Sequence, residues 1–300
     1  MRIGVVADPW AGTLEDLVDE VRFTVEASLE TYWMAQVWRF DAMTLIPHLA
    51  QLAPTLEFGT SVVASYLRHP MTLASQAMTT SLLTGGRFTL GVGLMHRPAI
   101  EGMFEIPFDH PVRHMGEYLD VLLPLLHHQQ VDVSGVTVSY HGGLDVPNAP
   151  TCPVMLGALG PRMLRLCGSR TSGTITWMTG PNTLREHIVP LVTDAAASAG
   201  RPPPRIVALV ALRVTDDVKR GREQAAAALG GYGNLPSYRA MLDREGLARA
   251  EDFAIIGSED SAREQIDAYE KSGITDIGLM IAGGIEDRDR SRAFIASLRD

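Results

Sequence analysis

Two cysteines in 300 residues, no run of basic residues longer than two, and no apolar stretch long enough to cross a membrane are what this chain most plainly lacks. Each scarcity removes a class of function. Cys152 and Cys167 cannot build a disulfide framework, and so few thiols fit a reducing, cytoplasmic setting in which no disulfide is expected. Lys and Arg number 26 against 35 Asp and Glu, a net charge of −9 with no basic patch, so nucleic acid is not an expected partner. The opening MRIGVVADPW has neither the basic segment nor the long apolar core of a signal peptide. HExxH and CxxC spacings are absent, which argues against a metal site. A Gly-x-Ser-x-Gly elbow and a paired-carboxylate loop are also missing, so hydrolase chemistry has no anchor.

What is present is a repeating rhythm of short apolar runs and helical segments. The run from Leu56 to Pro98 states it most clearly: an apolar strand at Leu56–Ala64, a helix at about Pro70–Leu83, then a strand at Arg87–Gly93. Strand, crossover helix and strand make a parallel pair. Both strands end in small residues, which let a flat ligand approach the backbone. The same plan recurs along the chain. Strands are expected at Arg2–Ala7, Thr31–Gln36, Pro153–Leu159, Gly173–Met178, Arg205–Val214 and Asp276–Ile281. Helices are expected at Thr13–Leu29, Asp41–Leu52, Arg113–Gln129, Pro161–Gly168, Asn182–Ala199, Ser261–Ser272 and Glu286–Leu298. Thr13 and Asp16 form a capping pair.

Two stretches break the rhythm. Alternating valines at Val131–Val146 predict a hairpin-like excursion after the fourth helix. Asp216 to about Ala262 is a long, mostly helical insertion after the seventh strand, with GYGNLPSYR as a candidate lid. Eight strands, each a continuous apolar run buried on both faces, give an α/β chain folded as a (β/α)8 TIM barrel with those two insertions, one domain over residues 1–300.

In such a barrel the chemistry lies at the C-terminal ends of the strands. The candidates there are Asp8, Gln36 to Trp38, Ser61 to Tyr66, Gly93 to Arg97, Ala158 to Arg162, Trp177 to Gly180, and Arg213. Gly91-Val-Gly93 starts like a dinucleotide fingerprint but lacks the third glycine. Gly160-Pro161-Arg162 opens a helix whose free N–H groups fit a phosphate, although an ordinary capped turn has the same pattern. His96, on a loop over the pocket, can exchange a proton near neutral pH, and a plain surface histidine would look no different. Trp33, Trp38 and Trp177 could wall a pocket for a flat ring or simply fill the core, which for Trp33 is the stronger reading. Arg97, Arg239 and Tyr238 could meet a carboxylate, and His69 and Glu117 read as structural.

Several landmarks together resemble the luciferase-like oxidoreductases, in the branch that uses the deazaflavin coenzyme F420. They are YWMAQVWRFDAMTL (Tyr32–Leu45), FGTSVV (Phe58–Val63), GGRFTLGVGLMHRP (Gly85–Pro98), ALGPRMLRLCG (Ala158–Gly168), GTITWMTGP (Gly173–Pro181) and PSYRAMLDREG (Pro236–Gly246). The resemblance covers nearly the whole chain. It implies a homodimeric barrel acting on a small molecule, with F420 as cofactor and FMN as the alternative. It also implies a non-prolyl cis peptide at Ser61-Val62, behind the ring. Gln36, Trp38, Ser61, Val62, Gly93 and Leu94 would then surround the ring. Ala158, Leu159, Gly160, Pro161, Arg162, Thr179 and Gly180 would hold the phosphate-bearing tail.

Relatives that oxidise alcohols or sugars carry a histidine after the second strand and a glutamate after the fourth. Here those positions hold Val37 and His96. Relatives with a lysine after the sixth strand have Pro181 in its place here. The resemblance therefore points to the reductive direction: hydride delivery to an activated C=C or C=N bond, with His96 or solvent as proton donor. An FMN-dependent monooxygenase is the alternative, and a cofactor-free binding barrel is the third reading.

Overall fold

The computed structural model describes residues 1–9, 12–36 and 38–299, apart from the side chains of residues 285 and 286. The first half of the chain runs β1 (Arg2–Val6), α1 (Leu14–Glu26), β2 (Thr31–Met34), α2 (Ala42–Leu52), β3 (Glu57–Thr60), β4 (Val63–Ala64), α3 (Pro70–Leu83), β5 (Phe88–Gly93), α4 (Arg97–Phe104), α5 (Pro111–Leu126), β6 (Val131–Ser134) and β7 (Ser139–Gly142). The second half runs β8 (Val154–Gly157), α6 (Pro161–Arg170), β9 (Gly173–Trp177), α7 (Pro181–Thr183), α8 (Val189–Ser198), β10 (Arg205–Val214), α9 (Val218–Leu229), α10 (Pro236–Glu245), β11 (Ile255–Gly257), α11 (Glu259–Lys271), β12 (Asp276–Ile281) and α12 (Ile285–Ala296).

The sheet closes on itself. Parallel pairing runs β1, β2, β3, β5, β8, β9, β10, β12 and back to β1, which is the ring of a (β/α)8 barrel. The reason is visible in burial: β5 and β12 are buried at every position, and β10 at every position after Arg205. Strands with two apolar faces need a packed interior and a helical coat. The capping pair of α1 is present in both directions, Thr13 to Asp16 and back. His69 is structural: its Nδ1 accepts from Met71 N at 3.2 Å and so opens α3. The excursion after α5 is an antiparallel β6–β7 hairpin, and Glu117 ties its turn down by accepting from Thr137 N at 2.7 Å and Val138 N at 3.2 Å.

The N-terminal end of the barrel is plugged. Arg205 meets both Asp276 carboxylate oxygens at 3.0 Å and Glu57 Oε1 at 2.5 Å, and its guanidinium lies 5.4 Å from the centre of the Trp33 ring. Trp33 is fully buried and fills the interior above that ion cluster, beside Gly59, where any Cβ would overlap the indole. Ligand access is left to the opposite end.

Three features depart from the pattern read along the chain. The third strand is two pieces, β3 and β4, and the peptide between them is cis at Ser61-Val62, as the family resemblance implied. The connection from Leu94 to Val112 carries α4, a short helix opened by the Pro at its second position. The post-β10 insertion contains a strand, β11, which pairs with the overhanging end of β10 at Leu212–Val214. Three residues are too few for a periodic signal, so β11 exists only because β10 outruns its other neighbours. Both cysteines are buried and unpaired, and burial pushes each thiol up to about 12. Among the described residues, no helix is long and apolar enough to cross a membrane.

Candidate active site

A cavity of about 780 Å³ opens at the C-terminal ends of the strands. Its floor is apolar: Val6, Ile175, Leu209 and Met280, one side chain each from β1, β9, β10 and β12. Its roof comes from the insertion after β10, with Tyr232, Leu235, Ser237 and Tyr238. Predominantly apolar walls with a few polar atoms suit an organic ligand of cofactor size.

One wall is a flat shelf. Val62 is pressed against two neighbouring strand ends, β5 and β8. A Cβ on Gly93 would overlap Val62 Cγ2, and one on Gly157 would sit 3.4 Å from both Val62 methyls. Glycine at position 93 leaves the space that the Val62 side chain occupies, so a larger residue fits there only if Val62 moves. Ser61 Oγ, on one of the lining residues, is covered by neighbouring protein atoms and closes no hydrogen bond among the described residues. A buried hydroxyl without a partner is costly, and it sits at the cis peptide that splits the third strand.

Most of the residues singled out from the sequence converge here. Gln36, Trp38, Ser61, Val62, Gly93, Leu94, His96, Ala158, Leu159 and Gly160 all line the cavity. Gln36 is held by accepting from Ala42 N at 2.7 Å. Trp38 is half exposed at the mouth and stacks on Phe104 of α4, centroids 6.2 Å apart. Val37 lies outside the described residues. Gly160 opens α6 with no side chain near it, and no side chain among the described residues accepts from the first N–H groups of that helix. Leu159 is fixed by its carbonyl, which accepts from His187 Nε2 at 2.9 Å.

Four residues stand apart from the lining. Pro161 and Arg162 begin α6 but are exposed on its outer side. Thr179 and Gly180 are buried behind the wall. Thr179 donates to Thr176 Oγ1 at 2.8 Å and its carbonyl accepts from Tyr269 at 3.0 Å. At Gly180 the helix start is already filled by a carboxylate of the protein itself. Glu245 accepts from Asn182 N at 3.1 Å and Thr183 N at 2.7 Å, and any Cβ on Gly180 would strike it.

His96 sits where it would cap α4, yet its side chain caps nothing. It packs instead against Tyr238 and Tyr232, at 5.6 and 6.2 Å between ring centres. Burial pushes its imidazole below the ordinary histidine range, so it is neutral at pH 7. A neutral ring carries one N–H to donate and one nitrogen to accept, which is a positioning role before it is an acid. Arg97 and Arg239 are already committed. Arg97 pairs with Glu101 at 2.5 Å and donates to the Phe108 carbonyl at 2.7 Å, and Arg239 pairs with Asp243 at 2.7 Å. Among the described residues, no cluster of three or more His, Cys, Asp or Glu could hold a metal ion.

Val6, Ile175, Leu209 and Met280 are floor residues that reading the chain did not single out. Each is one apolar position in an apolar strand, and they become neighbours in the pocket only through barrel closure. Tyr232 did carry a signal, lying between two glycines in the candidate lid.

The family profile described as Luciferase-like monooxygenase matches residues 1–276. Relatives from Mycobacterium tuberculosis and Mycobacterium bovis, described as uncharacterized proteins, are 26% identical over 66% of this chain, and the chain spans 62% of their length. A Mycobacterium tuberculosis protein provisionally named a coenzyme F420-dependent oxidoreductase is 24% identical, covering 95% of this chain and 96% of the relative. Among solved structures, the coenzyme F420-dependent tetrahydromethanopterin reductase of Methanopyrus kandleri superposes with a TM-score of 0.83 at 17% identity, covering 98% and 97% of the two chains. The oxygenating constituent of 3,6-diketocamphane monooxygenase from Pseudomonas putida, in complex with FMN, gives a TM-score of 0.76 at 15% identity, covering 99% and 96%. At these identities the structural likeness speaks for the fold.

Proposed function

The chain belongs to the luciferase-like monooxygenase family, and from that premise we propose that it is an F420-dependent oxidoreductase working in the reductive direction on an activated C=C or C=N bond of a small molecule. The observation that carries this reading is the shelf of Val62 over Gly93 and Gly157, with the uncapped start of α6 at its edge. A planar ring fits against a surface that admits no side chain, and a phosphate-bearing tail fits the free N–H groups that follow Gly160. When bound, the deazaflavin supplies the hydride.

The chain's own residues do the rest. Val62 and Leu94 hold the ring plane, and Ser61 sets the position of Val62 through the cis peptide between them. Ala158, Leu159 and Gly160 lead toward the tail, with Pro161 and Arg162 meeting its solvent end. Thr179 and Gly180 support from behind by fixing the turn that carries Trp177. Tyr232 and Tyr238 exclude water, which strengthens every polar contact beneath them. The position that carries an acid in alcohol-oxidising relatives is here a buried, neutral His96, which favours reduction, with the final proton coming from solvent, either directly or relayed through His96 as one ring nitrogen takes up a proton and the other gives one. As a small-molecule enzyme of this family it would be a cytoplasmic homodimer.

Fluorescence titration with oxidised F420, and separately with FMN, tests the cofactor. Micromolar binding of F420 with weaker binding of FMN is expected. FMN bound tightly, with oxygen consumed when reduced FMN and substrate are supplied, would instead make the chain a monooxygenase. No binding of either would leave a cofactor-free barrel.

A further inference from the structure

Leu159 and Gly160 line the cavity, and His187 stands behind them, outside the lining. His187 is buried, and its Nε2 lies 2.9 Å from the Leu159 carbonyl oxygen. A carbonyl can only accept, so Nε2 carries the proton and donates. Burial holds the imidazole below the ordinary histidine range despite that bond, and Arg244 nearby pushes the same way as burial, so the ring is neutral at pH 7.

His187 reaches the carbonyl from a distorted piece of helix. Between α7 and α8, Leu184–Ile188 form a single wide π turn, closed by the Val189 N–H donating to the Leu184 carbonyl. Two features of the sequence account for it. Pro190 follows at once, and a proline has no N–H for the carbonyl four residues back and crowds it with its ring. The buried positions also recur in steps of four, at Leu184, Ile188, Val192 and Ala196. Four residues overshoot one α-helical turn by about 40°, so three such steps would carry the stripe about 120° around a straight helix. One wide turn absorbs much of that drift and keeps His187, beside Ile188, on the buried side facing the start of α6.

The consequence falls on the next peptide group. Among the described residues Ser61-Val62 is the one cis bond, so the Leu159-Gly160 peptide is trans. In a trans peptide the C=O and the N–H point in opposite directions. A carbonyl drawn toward His187 therefore aims the Gly160 N–H away from it, and no protein group among the described residues accepts from that N–H. The space where a Gly160 side chain would stand is open.

We propose that His187 is a positioning residue for the anionic tail of the cofactor: by holding the Leu159 carbonyl from behind the wall, it aims the Gly160 N–H at the phosphate. This rests on the reading of the tail seat given above. Without the bond, the Leu159-Gly160 peptide is free to rotate and its N–H is no longer fixed on the anion. The Val62 shelf is built from other residues, so ring binding stays as it was.

Fluorescence titration of the full chain with F420, and with the deazaflavin riboside that lacks the phosphate, tests this. His187→Leu removes the donor and is expected to weaken F420 about tenfold, while riboside affinity changes by less than about twofold. His187→Gln carries an N–H at a similar reach and is expected to restore F420 affinity to within about threefold of the wild type. General distortion of the wall would weaken both ligands together and would not be rescued. Equal losses for the two ligands, an unaltered His187→Leu, or no rescue by His187→Gln overturns the proposal. If His187→Leu does not fold, His187→Asn, whose amide is too short to reach, takes its place with the same expected loss. FMN and riboflavin, run as a second pair, separate this proposal from the cofactor reading. A wild type that binds FMN but not F420, with a phosphate-dependent loss in His187→Leu, removes the F420 reading and keeps His187 in its role. A wild type that binds F420 without that split does the reverse. A wild type that binds none of the four removes both.

Discussion

The Glu245 carboxylate accepts from the Thr183 backbone N–H at 2.7 Å and from the Thr183 hydroxyl at 2.6 Å, joining the end of α10 to the start of α7 across 62 residues of chain. Two helices begin beside the pocket wall, at Gly160 and at Gly180. The protein fills one with its own anion and leaves the other uncapped. Because α10 also carries Tyr238, the same contact anchors the roof. Glu245→Ala leaves two N–H groups without a partner and frees the end of α10. It is expected to cost about 1–3 kcal/mol in urea unfolding, the range for hydrogen bonds to a charged group and for a lost cap. An unchanged midpoint would mean that the contact contributes nothing.

The shelf can be tested by filling it. Gly93→Ala puts a methyl group into the space held by Val62 Cγ2, so Val62 must move toward the cavity. Cofactor affinity is expected to fall by about tenfold or more, corresponding to roughly 1.4 kcal/mol, with the far-ultraviolet dichroism unchanged. Adding Val62→Ala to that variant removes the clash and should restore most of the affinity. Failure of the double variant to recover would show that Gly93 matters for another reason.

Glu20 should tilt the pH dependence of stability. Burial raises its carboxyl to about 7 from 4.5, although the Tyr32 hydroxyl donates to it at 2.8 Å. A carboxyl raised on folding favours the folded state only while protonated. That contribution is complete below pH 4.5 and is lost as the pH rises through about 7. Glu20 keeps some solvent contact, so the effect is about 1–2 kcal/mol rather than the full shift. Denaturant unfolding at pH 5 and pH 8 should show Glu20→Gln gaining on the wild type at the higher pH. Parallel behaviour of the two proteins would refute the assignment.

The barrel floor should be intolerant of a broken pair. Asp276 is almost wholly buried and depends on Arg205, which meets both of its oxygens at 3.0 Å. Arg205→Met leaves that carboxylate only Arg2 at 3.5 Å and the Thr275 hydroxyl at 2.6 Å, and is expected to destabilise by about 3–5 kcal/mol in guanidinium unfolding. Asp276→Asn added to it should recover a large part, since a neutral amide is far cheaper to bury. A loss under about 1 kcal/mol in the single variant would show that water reaches the cluster.

Much of the architecture was legible because its physical cause is local. A strand buried on both faces must be apolar along its whole length, and RIVALVALRV can hardly be read otherwise. The β6–β7 hairpin followed from alternating valines, and the cap of α1 from the Thr13–Asp16 spacing. The short strand β11 and the helix α4 were not legible, since neither is long enough to impose a period on the chain.

The site divides along the same line. Small residues at the strand ends, a proline opening α6 and a histidine after β5 are properties of the chain, and they locate the pocket and its shelf. Which helix start remains open to an anion is a property of the folded molecule. Gly160-Pro161 and Gly180-Pro181 look alike in sequence, and only the return of α10 places Glu245 on the second. The neutrality of His96 arises in the same way, from burial beneath an insertion that reaches back over the barrel from beyond β10. Contacts between residues so far apart in the chain are set by packing, and no local pattern encodes them.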